Sequence, residues 1–143
     1  MSFDPTDIGS VVGVMYAALS GPAGARDWSD QEQAFHLQAL LVRTGVDEFG
    51  APWAKVMTLA EYRQNVAYFF SKVPFFEFEI ERRVQEFGNI AQVWSTYEEK
   101  RAPDAKDVER RGVNSIQLIR DESGHWRIMS VVWDNEREGL KLA

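Results

Sequence analysis

At Pro74 the chain changes its period. Before it, apolar residues recur at helical spacing. After it, "FFEFEIERRVQEF" sets Phe76, Phe78 and Ile80 against Glu77, Glu79 and Glu81, with a period of two. "GN" at Gly88 and Asn89 is a two-residue hairpin signal, and "IAQVWSTYEEK" returns as the partner strand. "RAPDAKD" reads as a loop, and "GVNSIQLIR" and "HWRIMSVVWD" form a second hairpin around "DESG". Four long antiparallel strands in succession need an apolar layer over one face. The segments before Pro74 have to supply it.

Three helix starts stand in those segments. "DPTD" offers Asp4 as N-cap with Pro5 at the first helical position, and Ile8, Val11, Val12, Met15 and Leu19 keep helical spacing until Gly21 and Pro22. "SDQE" from Ser29 and "TLAE" from Thr58 both read as capping boxes. Leu59, Tyr62, Val66 and Phe69 form the stripe of the third helix, and "ALLVRTGVDEFGAPWAKVM" between the second and third reads as a short hairpin around Gly50. The layout predicted is α+β, a single domain over 1–143, with helices laid on one face of a curved antiparallel sheet.

Composition narrows the function. The chain has 143 residues, 45% of them hydrophobic, enough for one core. Its net charge of −6 argues against nucleic acid and against an anionic membrane surface as partners. There are no cysteines, which excludes disulfides and thiolate zinc sites and fits a reducing cytoplasm. "MSFDPTD" lacks the basic start and apolar core of a signal peptide. Two distant histidines, His36 and His125, predict no metal site, and no nucleotide fingerprint or nucleophile elbow calls for a cofactor.

Taken in order, these elements resemble the nuclear transport factor 2-like fold, a cone of bent sheet closed by three N-terminal helices. The nearest likeness is to its SnoaL-like polyketide cyclase group. "AFHLQALLVRTG" from Ala34 to Gly45 is similar to that group's passage from second helix to first strand, and "GHWRIMSVVWD" to its last strand. Tyr16 and the pair Asp27 and Trp28 also fall where such chains often carry them. The resemblance implies that Trp126 and Ile128 point into the cone. It covers isomerases, dehydratases, cyclases, epoxide hydrolases and domains without catalysis.

Carried along strands without bulges and across even-numbered turns, with two or four residues at "DESG", that orientation puts Ser115, Gln117, Trp126, Ser130 and Asp134 inside, together with Phe78, Ile80 and Arg82 and their partners Ser95 and Tyr97. With Tyr16, Trp28, His36 and Tyr62 from the helical side, these residues predict a pocket for a small, largely apolar molecule. Asp134, the one carboxylate expected inside, is the candidate base. Tyr16 or Tyr97 is the candidate oxyanion donor, and His36 a further acid–base candidate. Two functions follow: proton transfer on a carbonyl compound, or a binding or assembly domain without catalysis. Ile116, Leu118, Met129, Val131 and Trp133 fall on the opposite face. They predict an outer apolar patch and hence a homodimer through it.

Overall fold

The computed structural model describes residues 3–143, so the first two residues of "MSFDPTD" lie outside the described residues. Its elements run α1 (Ile8–Leu19), α2 (Ser29–Ala34), β1 (Phe35–Val46), β2 (Pro52–Thr58), α3 (Leu59–Lys72), β3 (Phe76–Phe87), β4 (Ile90–Lys100), β5 (Arg110–Arg120) and β6 (Trp126–Asn135). One curved, unclosed sheet has the order β2-β1-β6-β5-β4-β3. All neighbours are antiparallel except β1 and β6, which run parallel because α3 and four strands of chain separate them. The helices lie on the concave face, as the α+β reading expected. Among the described residues no helix is long and apolar enough to cross a membrane.

Two helix starts differ from expectation. The α1 N-cap is Asp7, whose carboxylate accepts from the Ser10 N–H at 2.9 Å. Asp4 instead closes a turn with Thr6, and the Pro5 carbonyl is committed to the Trp126 N–H at 2.8 Å, so it cannot begin a helical ladder. Ser29 is not a cap either: α2 starts behind Trp28, with no side-chain capping bond, and lasts only until Phe35 pairs with Ile128. The "TLAE" capping box is present, with Thr58 and Glu61 bonded reciprocally. Gly88 takes φ +59° in the tight β3–β4 turn, a conformation that favours glycine.

Side-chain faces depend on three breaks of register. In β1 the pairing with β6 jumps between Phe35 and Leu40. In β3 it shifts between Glu79 and Glu81. In β6, Leu118 pairs with Ile128 while Gln117 pairs with Ser130, so Met129 is an extra residue. A bulge reverses the faces beyond it. Trp126 and Ile128 therefore point inward, as the resemblance implied, but beyond Met129 the inward residues are Val131 and Trp133. Their partners Ile116 and Asn114 go inward with them, and Ser115, Gln117 and Ser130 go to the convex face.

The patch expected to be external is thus largely internal. Ile116, Leu118 and Val131 are 0%, 1% and 3% exposed, Trp133 packs against the core, and Met129 is half-buried. This corrects the predicted dimer interface, since these residues bury their surface under the helices. The β3 bulge has the same effect: Phe78 and Ile80 are exposed, and Glu77 and Glu79 face inward beside Tyr97.

Candidate functional site

Between the open end of the sheet and α3 lies a cavity of about 700 Å³. Its apolar walls include Met15, Phe35, Leu41, Val66, Phe70, Val131 and Trp133. Its polar lining includes Glu77, Asn114, Tyr62, Tyr97, Glu99, Arg43, Arg110 and Asp134. This is the mixture that small-molecule sites use, apolar walls with a few placed hydrogen-bonding groups.

Glu77 is the inward acid of β3. Its Oε1 accepts from the Asn114 amide at 3.3 Å, while Oε2 has no protein partner among the described residues. It retains some accessible surface, on the cavity that it lines. Burial pushes the Glu77 carboxyl up from 4.5 to about 8. The Asn114 N–H opposes this, Glu99 adds to it and the Arg110 guanidinium opposes it.

Behind Glu77 runs a closed polar network. The Asn114 amide also donates to the Tyr16 hydroxyl at 3.0 Å, Tyr16 meets the Ser95 hydroxyl at 2.6 Å, and Ser95 donates to Glu79 at 2.5 Å. Arg82 closes the chain on Glu79 at 2.6 Å. No sealed polar side-chain atom here lacks a partner, and the two bonds donated by its amide fix Asn114 and through it Glu77.

The predicted residues divide accordingly. Tyr62 lines the cavity, and Trp28 packs behind it, edge to face, with ring centroids 6.1 Å apart. The Tyr62 hydroxyl has no partner among the described residues and is not sealed, so it opens on the cavity. Burial pushes its pKa up, which keeps it a neutral donor. Tyr97 lines the cavity too, but its hydroxyl donates to Asn135 at 2.5 Å. That bond crosses Gly112, where a Cβ would lie 2.5 Å from the Tyr97 oxygen. Tyr16 and Ser95 are buried in the network, away from the cavity lining, and Trp126 sits deep in the core. His36 lies away from the cavity, its Nδ1 accepting from the Gln38 N–H at 3.0 Å.

Asp134 stands at the cavity wall with a carboxylate unlike the one expected. Burial acts to raise it, but Arg137 at 2.7 Å and the Asn135 N–H outweigh burial and hold it below its ordinary value. Past the bulge Asp134 shares the parity of the outward Ser130 and Val132, and its pairing with Arg137 denies it the isolation that would make it a base. Arg82, bound to Glu79, forms no pair with Asp134. Among the described residues no group of three His, Asp or Glu side chains could hold a metal.

Sequence reasoning missed Glu77, Asn114, Arg43 and Arg110. The trace of Glu77 was available: Glu77, Glu79 and Arg82 make a polar line whose spacing changes from two to three at Ile80.

No protein-family model matches the chain, and no curated protein matches it. Solved structures do. A cystatin-like-fold protein of unknown function from Nostoc punctiforme PCC 73102 aligns with TM-score 0.70 and 12% identity, over 95% of this chain and 93% of that one. A nuclear transport factor 2-like superfamily protein from Salmonella enterica serovar Typhimurium LT2 aligns with TM-score 0.67 and 13% identity, over 91% and 89%. A protein from Shewanella frigidimarina NCIMB 400, provisionally named a ketosteroid isomerase, aligns with TM-score 0.62 and 20% identity, over 93% and 100%. The chain has the nuclear transport factor 2-like, or cystatin-like, fold. Its cavity is compatible with a ligand-binding cone.

Proposed function

We propose that the chain binds a small, largely apolar carbonyl compound in this cavity and moves a proton on it. Glu77 is the acid–base group, and Tyr62 is the donor to the carbonyl oxygen. The observation that carries this reading is Glu77 itself, a carboxyl on the cavity wall with one oxygen held by Asn114, the other free, and a pKa of about 8. Such a group changes protonation near neutral pH, as acid–base catalysis requires. Tyr62, neutral and open to the cavity, is suited to a developing enolate oxygen. A protein provisionally named an isomerase shares the fold, and by fold-level analogy alone it points to the same class of chemistry.

The test is exchange of α-protons for deuterium in a panel of ketones and β-keto esters, followed by NMR. Wild type is expected to exchange its best substrate about a hundredfold faster than Glu77→Gln. Equal exchange by the two proteins would remove Glu77 from the chemistry.

A second reading, an assembly domain that binds without catalysis, is favoured by the convex face. There Val56, Val42, Val132, Ser115 and Trp94 stand opposite one another in a row across five strands. Val56 and Trp94 are more than half exposed. Packing of two such faces about a two-fold axis would bury both rows. Sedimentation of wild type and of Val132→Glu/Trp94→Glu tests it: a dimer that the double substitution dissociates is expected, and a monomeric wild type refutes it.

A further inference from the structure

The arginines of this protein use their donors very differently. Arg26 directs its guanidinium to four carbonyls, those of Leu19, Pro22, Gly24 and Gly21. At the cavity, Arg110 is 3.6 Å and Arg137 2.7 Å from a carboxylate. Arg43 has no carboxylate partner among the described residues. It makes one hydrogen bond, from Nη1 to Asn65 Oδ1 at 2.5 Å, and lies over the Trp133 ring at 5.4 Å from its centroid. Burial lowers its pKa, though a guanidinium stays charged throughout the working range.

A half-buried, unpaired cation is costly unless something offsets it. No sealed side-chain nitrogen lacks a partner, so the unused Nε and Nη2 of Arg43 keep accessible surface, and Arg43 lines the cavity. Asn65 and Trp133 fix the plane of the group and leave its Nε–Nη2 edge free. That edge carries two parallel N–H bonds, the fork that matches the two oxygens of a carboxylate.

The local charge agrees. Glu99 is shared by Arg101 at 2.6 Å and Arg110 at 3.6 Å. Asp134 is matched by Arg137, and Glu136 stands at the rim, accepting from the Leu142 N–H. Among the lining residues, Arg43, Arg110 and Arg137 match Glu99, Asp134 and Glu136 while Glu77 holds its proton, so the cavity carries no net charge to repel a carboxylate. The chain as a whole carries −6.

We infer that the compound bound here carries a carboxylate, seated on the Nε–Nη2 edge of Arg43 with Trp133 and Asn65 holding the guanidinium. Tyr62 is the link to the chemistry, because it lines the same cavity as Arg43 and Glu77 and its hydroxyl has no partner among the described residues. This rests on the cavity being the ligand site, as proposed above. It names the substrate class as carbonyl acids, compounds whose anionic end anchors them while the reacting carbon faces Glu77.

The probes are 3-phenylpropionate, its neutral amide and inorganic phosphate, with binding followed by NMR chemical-shift titration of wild type, Arg43→Gln, Arg43→Lys and Glu77→Gln. Wild type should bind the carboxylate about tenfold or more tighter than the amide. Arg43→Gln should lose that preference. Arg43→Lys, which keeps the charge without the fork, should lose most of it. Glu77→Gln should keep it, because the anchor does not involve the acid. Equal binding of acid and amide by wild type, or no binding of either, overturns the inference. So does a preference that survives in a folded Arg43→Gln, or phosphate displacing the carboxylate at equal concentration. A preserved carboxylate preference with no Glu77 titration near pH 8 would refute the proposed base and leave the ligand class standing.

Discussion

The two halves of β6 face the same interior and do different things. From Trp126 to Ile128 the strand closes the narrow end of the cone, where Trp126, Ile128, Leu118 and Val12 are almost wholly buried and leave no space. From Val131 to Asn135, past the extra residue Met129, it borders the cavity. There Trp133 is only partly buried and polar groups from β3, β4 and β5 converge. Two residues of β3 repeat the contrast. Glu79, on the network side, is matched by Arg82; Glu77, two residues away, touches only an amide and keeps a free oxygen. Where a group is fully partnered it holds the fold, and where one valence is left open it is available for a ligand.

Four substitutions test this division, in order of expected effect. Trp126→Ala should be the most damaging, at about 3–5 kcal/mol, because it empties a closed core that cannot relax around the gap. Chemical denaturation measures it, and a loss below about 1 kcal/mol would mean that the narrow end is not closed.

Glu77→Gln should lower turnover about hundredfold while leaving the fold intact. It should also change the pH dependence of stability. Between 4.5 and about 8 the folded protein holds a proton on Glu77 that the unfolded chain has released. The wild type should therefore lose stability as pH rises through that window, by up to a few kcal/mol, and Glu77→Gln should remove this part of the slope. A slope unchanged in the variant would place the titration elsewhere.

Tyr16→Phe should cost about 1–3 kcal/mol, since the Asn114 amide and the Ser95 hydroxyl each lose a buried partner. Thermal melts of the variant and of Ser95→Ala, alone and combined, give the coupling; strictly additive losses would deny the network. Asp134→Asn should have the smallest effect, within about 0.5 kcal/mol in stability at neutral pH and with little change in turnover. A large loss of turnover would restore Asp134 as the acid–base residue in place of Glu77.

The elements of this protein were legible in its sequence because local rules fix them. The switch to a period of two at Pro74, the hairpins at Gly88 and around "DESG", and the Thr58 capping box each depend on a few adjacent residues, and each stands in the structure where it was read. Tyr62 was legible too, as part of a helical stripe. Glu77, Asn114, Arg43 and Arg110 were not, since alternation carries information only along an unbroken strand and across a turn of known length. β4 has no bulge, and its inward Val93, Ser95 and Tyr97 were assigned correctly. In β3 and β6 a single inserted residue reversed the assignment, hiding Glu77 and misplacing Ser130, and the five-residue loop between β5 and β6, read as an even-numbered turn, misplaced Ser115 and Gln117. In β6 the mark of the bulge was present as apolar residues at both parities.

By itself, then, the sequence determined an α+β layout and a curved sheet under helices, because periodicity and turn chemistry are properties of neighbours in the chain. Only the tertiary structure decided which acid is a poised one. Glu77 and Asp134 are both strand-end carboxylates with an arginine a few residues along the chain, and the sequence does not say that Arg82 pairs with Glu79 while Arg137 pairs with Asp134. Burial at the cavity wall lifts the Glu77 pKa against the Asn114 N–H, Arg137 holds the Asp134 carboxyl down, and the inward turn of Glu77 follows from a bulged register that one strand cannot announce.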